Sequence, residues 1–161
     1  MFEITAKDDS IIFEIASDIS VLPSVMGHIH RLLLKITSHS DLNLMLVVRE
    51  LLVNAISHGN GFQHEKLVHG RIDKIRENGT FRVQVEDHGD GFDFDSLDFS
   101  IPEDPRRLRK RGYVIVSALT ERVSFNKTGN KVTAYVDLKN GADDMQVAHE
   151  QANGKVTTDN R

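Results

Sequence analysis

Residues 50–59 read ELLVNAISHG, and together with the run that precedes them they decide the fold. Leu44, Val47, Val48, Leu51, Leu52, Ala55 and Ile56 recur at the three-four spacing that makes one apolar stripe on a helix. Asp41 stands just upstream as an N-cap, and Gly59 and Gly61 supply the stop. On that helix Glu50, Asn54 and His58 are each four residues apart, so they form a polar line along one border of the buried stripe. A carboxylate at such a border can serve as a general base toward a hydroxyl or a water, and an amide oxygen one turn away is a hard ligand suited to Mg²⁺. An isolated Glu-x-x-x-Asn is common, however, and alone it reads as a solvated glutamate beside an asparagine bonded to a loop.

A second stretch, EDHGDGFD at residues 86–93, gives the first its weight. Ahead of it, Phe81, Val83 and Val85 alternate with Arg82, Gln84 and Glu86, the period of a strand with one buried face. The strand runs into Asp87, Gly89, Asp90 and Gly91. Glycines let a ligand lie directly against the main chain, and a carboxylate at the strand end can accept a hydrogen bond from an exocyclic amine such as that of adenine. An ordinary turn is the plainer reading. A calcium loop is disfavoured, because the Asp-x-Asp-x-Asp-Gly order and the closing Glu are missing.

With both motifs in hand, the chain resembles the GHKL ATPases, ELLVNAISHG corresponding to their N box and DHGDGFD to their first glycine box. The short length and the His-Gly after the N box are most similar to the anti-sigma-factor serine kinase branch. The resemblance covers residues 10–138 and implies Glu50 as catalytic base, Asn54 as Mg²⁺ ligand, Asp87 as adenine reader, and Gly89 and Gly91 as glycines of the nucleotide wall. The second glycine box of that branch corresponds to KRGYVIVSALTERV, residues 110–123, where Gly112 fits the second glycine and Lys110 stands in place of the first. A lysine there removes backbone freedom and fills phosphate space, or else contacts the phosphates itself. Residues 102–111, PEDPRRLRKR, correspond to the lid over the triphosphate; as sequence they read as a basic loop. Ile56, Phe92 and Ile115 are candidate linings for an adenine, and Thr133 is a candidate on its side from strand 131–138.

Composition bounds the rest. The 161 residues, 39% hydrophobic and 27% charged, suffice for one core and are few for two. A formal net charge of −4 without interleaved aromatics argues against direct nucleic-acid binding. No apolar run is long enough to span a bilayer and no signal-peptide pattern opens the chain, so no membrane association and a cytoplasmic location are expected. The absence of cysteine excludes disulfides and thiolate metal sites, and the eight histidines show no ligand spacing.

A first strand is expected at Ile11–Ile15. A helix from Asp18 to Ile36, interrupted near Pro23, carries Val25, Ile29, Leu32, Leu33 and Ile36 on one face. Hairpins are expected across Glu77-Asn78-Gly79 and around Thr128-Gly129-Asn130, with a helix from Tyr113 to Leu119 between them. This order implies an α+β fold, a two-layer sandwich with helices on one face of a mixed, mostly antiparallel sheet, which agrees with the Bergerat type implied by the resemblance. Residues 1–140 form the domain, and the polar stretch from 141 to 161 reads as a disordered tail.

The resemblance implies a protein serine/threonine kinase that binds ATP and Mg²⁺, sequesters a sigma factor or similar regulator, and phosphorylates a small anti-sigma-factor antagonist; it also implies a homodimer. Two alternatives stand beside it. One is a partner-binding module with a degenerate nucleotide site, as Lys110 suggests, and the other is the detached ATPase domain of a histidine kinase, disfavoured because no phosphoacceptor helix pair is found.

Overall fold

The computed structural model describes residues 1–37, 41–75, 79–91 and 111–138. Expectations that concern Phe92, the basic run up to Lys110, the Glu77-Asn78 half of a turn and the tail from 141 lie outside the described residues.

Strands β1 (Phe2–Lys7) and β2 (Ser10–Ala16) form the opening hairpin. Sequence reading missed β1, although Phe2, Ile4 and Ala6 alternate with Glu3, Thr5 and Lys7; Asp8, at φ 52, makes the tight reversal. Asp18 then accepts from the Ser20 amide at 2.9 Å and caps a 3₁₀ turn, Ile19–Val21. Helix α1 (Leu22–Ile36) follows with Pro23 in its first turn, where a missing N–H costs nothing. The interruption expected near Pro23 is thus a change of helix type just before it. Leu22, Val25, Ile29 and Leu33 are buried, and Leu32 and Ile36 pack partly against the same core.

Helix α2 (Leu42–Asn54) is capped as its sequence implies, the Leu44 amide donating to Asp41 Oδ1 at 2.8 Å. All seven residues of the apolar stripe are buried. After Asn54 the chain widens into one π-helical turn, Ala55–Gly59. Strands β3 (Leu67–Lys74) and β4 (Thr80–Glu86) pair antiparallel, as do β5 (Arg122–Phe125) and β6 (Lys131–Asp137), with helix α3 (Arg111–Ala118) between the two hairpins.

The six strands form one sheet in the order β1-β2-β3-β4-β6-β5. Every pairing among the described residues is antiparallel. Helix α1 rests on β1 and β2, α2 on β4 and β6, and α3 on α2 and β5, so the three helices share one face. Ile11, Phe13, Ile15, Val68, Ile72, Val83, Val85, Val132, Ala134 and Val136 point into that layer. The opposite face carries the polar alternates, among them Asp73, which accepts from Ser10, Arg71 and Arg82 at 2.6–3.2 Å. Among the described residues no helix is long and apolar enough to cross a membrane.

Candidate functional site

The stripe of α2 faces the sheet, so its polar border opens beside the ends of β4 and β6. Glu50 and Asn54 stand there one turn apart. Asn54 is 8% exposed, and among the described residues its Nδ2 has no hydrogen-bond partner, so this buried amide keeps a free donor. Glu50 has a side chain 15% exposed, and Arg49 Nη1 donates to its Oε1 at 2.6 Å. Gly112, in the first turn of α3, lies directly over the pair: a Cβ built on it would sit 3.1 Å from both polar atoms of Asn54 and 3.2 Å from Glu50 Oε2. Glycine at 112 keeps that space open for the two side chains.

His58 does not extend the line. The π turn inserts one residue into the helical repeat, so His58 swings out to solvent while Gly59 turns toward the end of β4. There Asp87 lies flat against the Gly59 backbone; a Cβ on Gly59 would overlap the carboxylate and come within 2.6 Å of even its more distant Oδ1. The Gly89 amide donates to Asp87 Oδ1 at 2.8 Å. Burial pushes the Asp87 carboxyl above its usual range, against the lowering effect of the Gly89 amide. Desolvation of this kind is what gives a hydrogen bond to the carboxylate its strength.

Gly89 and Gly91 stand where loops approach closely. A Cβ on Gly89 would press on the Gly59 carbonyl group, 2.7 Å from its carbon, and one on Gly91, at φ +77, would press on that of Thr128, 2.8 Å from its carbon. These glycines let three loops close on one another, backbone against backbone.

Beside Asp87 a narrow cleft of ≈ 10 Å³ runs between Leu51, Ala55, Val85, Val132, Phe125 and Tyr113, with Asn130 at its polar end. This is room for about one water. The Tyr113 ring meets Phe125 edge-on, with centroids 5.6 Å apart, and narrows the cleft. Burial holds the Tyr113 phenol well above the usual phenolic range, and the charge of Asp87 adds to the effect, so the ring is neutral. Ile56 belongs to the core, and neither it nor Ile115 lines the cleft.

Thr133 is not brought to the site. Val132, Ala134 and Val136 take the inward positions of β6, which puts Thr133 on the outer face, where its Oγ1 accepts from Gln84 Nε2 at 3.2 Å. The β6-side polar group is Asn130, whose Nδ2 donates to the Asp87 carbonyl at 3.0 Å while the Asp87 amide donates to the Asn130 carbonyl at 2.9 Å. A second residue missed in the sequence is Asn60. It is 1% exposed; its Nδ2 donates to Ser17 Oγ at 2.7 Å and the Leu67 carbonyl at 2.9 Å, and its Oδ1 accepts from the His88 amide at 2.7 Å. It ties the end of the π turn to β2, β3 and the Asp87 loop. Its place in Gly-Asn-Gly after an apolar helix was the available signal.

The donor set suits a nucleotide carrying its own cation. Among the described residues no three of His, Asp and Glu converge on one point; Asn54 and Glu50 offer one amide and one carboxylate oxygen, a share that suits Mg²⁺ when phosphates supply the rest. Asp87 and the apolar walls suit a base with an exocyclic amine, provided that the Tyr113 ring moves to admit it.

No curated protein matches the chain significantly. Among solved structures, the histidine kinase domain of the EL346 blue-light activated histidine kinase from Erythrobacter litoralis is 22% identical, over 74% of this chain and 62% of that one, with a TM-score of 0.46. A structure of the EL346 blue-light activated histidine kinase from the same organism is 27% identical over 61% of this chain and 30% of that one, with a TM-score of 0.43. The chain therefore spans less than two thirds of either. Residues 22–136, from the start of α1 almost to the end of β6, match the family model described as histidine kinase-like ATPase domain. That span holds Glu50, Asn54, Asp87 and Gly112, and the chain belongs to the histidine kinase-like ATPase domain family.

Proposed function

We propose that the protein binds ATP with Mg²⁺ and transfers the terminal phosphoryl group to a serine or threonine hydroxyl of a small partner protein, in the manner of an anti-sigma-factor kinase that switches between a sigma-like regulator and its antagonist. The observation that carries this reading is the convergence of Glu50 and Asn54 beneath Gly112, with Asp87 held against the same helix end.

Each residue has a distinct task. Asp87 accepts a hydrogen bond from the adenine amine, and the surrounding apolar walls exclude water from that bond. The buried amide of Asn54 presents its oxygen to the cation, which when bound neutralises phosphate charge. Glu50 takes the proton from the acceptor hydroxyl as that oxygen attacks phosphorus, and the leaving oxygen departs with ADP. Gly112 keeps main chain rather than side chain above the pair.

A second reading has its own support. The cleft beside Asp87 admits about one water, and Lys110 replaces a glycine, both of which suit a module that holds a partner without turning over nucleotide. Incubation with γ-labelled ATP, Mg²⁺ and candidate acceptor proteins decides. Acid-stable label on the acceptor supports the hydroxyl kinase, whereas acid-labile label indicates a histidine acceptor. Tight partner binding with no label, unaltered by Glu50→Gln, supports the passive module.

A further inference from the structure

Helix α2 is apolar on more than the face it gives to the sheet. Leu42, Met45 and Leu46 form a second stripe at i, i+3 and i+4, and Arg49 ends it at i+7. Across from it, Ile19, Leu22, Pro23 and Met26 repeat the same spacing. The two rows enclose an open groove of ≈ 470 Å³, with Leu42 78% exposed and Ile19 44% exposed on its rims. That volume is in the range of about 300–1,000 Å³ that binding sites commonly occupy, and opposed stripes of this spacing are how a groove receives an amphipathic helix. Met26 and Met45 give it adaptable walls.

Charge then selects the occupant. Among the described residues Arg49 is the one charged residue lining the groove, and its side chain is 53% exposed. Glu50 engages one of its terminal nitrogens, and a guanidinium has five N–H donors. A second copy of this chain seated groove to groove would leave Arg49 facing apolar side chains or another Arg49, with no carboxylate among the described lining residues to pair with it. An acidic partner meets no such penalty.

We propose that the α1–α2 groove docks the acceptor protein, through an amphipathic helix whose apolar edge fills the groove and whose carboxylate engages Arg49. This rests on the kinase reading for the identity of the partner, but the binding itself does not require nucleotide. Arg49 adjoins Glu50 in sequence and pairs with it, so docking there brings the acceptor toward the proposed base. A carboxylate on Arg49 also competes with Glu50 for the guanidinium, which frees the base when the acceptor is present.

The test uses the full chain and a labelled helical peptide with Leu and Met at i, i+3, i+4 and i+7 followed by one Glu, read by fluorescence anisotropy without nucleotide. A second peptide carries Lys in place of that Glu. We expect the Glu peptide to bind about tenfold or more tightly than the Lys peptide, and Arg49→Glu to reverse the preference. Leu42→Glu, at an exposed rim position, should abolish binding of either peptide while leaving the circular dichroism spectrum and ATP affinity as in the unaltered protein. Equal affinity for the two peptides, no binding, or binding unchanged by Leu42→Glu overturns the proposal. Self-association that Leu42→Glu dissolves and that blocks the peptide also overturns it, in favour of a second copy. Peptide binding without any ATP binding would leave the groove standing and remove the kinase reading.

Discussion

Gly59→Ala is the perturbation that most sharply tests how Asp87 is held. Alanine suits a helical turn better than glycine, so local propensity favours the change. The added methyl, however, would stand 2.6 Å from Asp87 Oδ1 and closer to the other two atoms of the carboxylate, where ordinary contact begins at 3.4 Å. The carboxylate must therefore withdraw by roughly 1 Å, a misplacement that is costly for a group proposed to make one directed hydrogen bond. Losing a bond to a charged, desolvated acceptor costs about 1.5–3 kcal/mol, or roughly 10- to 150-fold in ATP affinity. Calorimetric titration of ATP-Mg²⁺ against the unaltered protein, Gly59→Ala, Asp87→Ala and the double variant measures it. Since both changes remove the same bond, the double variant should bind no worse than Asp87→Ala alone. GTP, which presents a carbonyl where ATP has an amine, should discriminate poorly among all four. Additive losses, or full ATP affinity in Gly59→Ala, would refute the placement of Asp87 as base reader.

Three further outcomes follow from the same geometry. Glu50→Gln keeps the shape and removes the proton acceptor, so phosphotransfer should fall by about 10²–10⁴-fold with ATP affinity largely kept, whereas Asn54→Ala should weaken the Mg²⁺ dependence of binding itself; equal binding losses in the two would count against this division of roles. The Asp87 carboxyl is raised by burial in the folded state, so its ionisation opposes folding: the relative stability that its neutral form confers is present below its unfolded value and lost as pH rises through the folded one. Asp87→Asn should consequently raise Tm at neutral pH and lose that advantage near pH ~3–4, and thermal melts that show no pH-dependent difference would contradict it. Tyr113→Ala removes the ring that narrows the cleft and should speed ATP association in stopped flow, an unchanged rate arguing that the ring is no obstacle.

What the sequence showed and what it hid divide along physical lines. The stripe of α2 and its Asp41 cap were readable because burial of that helix repeats at its own period, and β4, β5 and β6 were readable by alternation. Alternation also put Thr133 on the outer face, a parity that its assignment to the adenine side overlooked. The π turn left no such trace, since the same residues would satisfy an α turn; only the contacts of Gly59 and Asn60 reveal the extra residue. Asn60 was hidden for a related reason, because its partners Ser17 and His88 lie 43 and 28 residues away. The close approach of Gly89 to Gly59 and of Gly91 to Thr128 was likewise hidden, because those partners lie 30 or more residues away in the chain.

The central claim is that Glu50, Asn54 and Asp87 form one nucleotide site. The most direct test is competition between ATP and GTP for the unaltered protein, followed by calorimetry with and without Mg²⁺. The account predicts saturable, Mg²⁺-dependent binding of ATP, with GTP weaker by about tenfold or more for want of the amine that Asp87 accepts from. Absence of binding at millimolar ATP, or equal affinity for the two nucleotides, would contradict it.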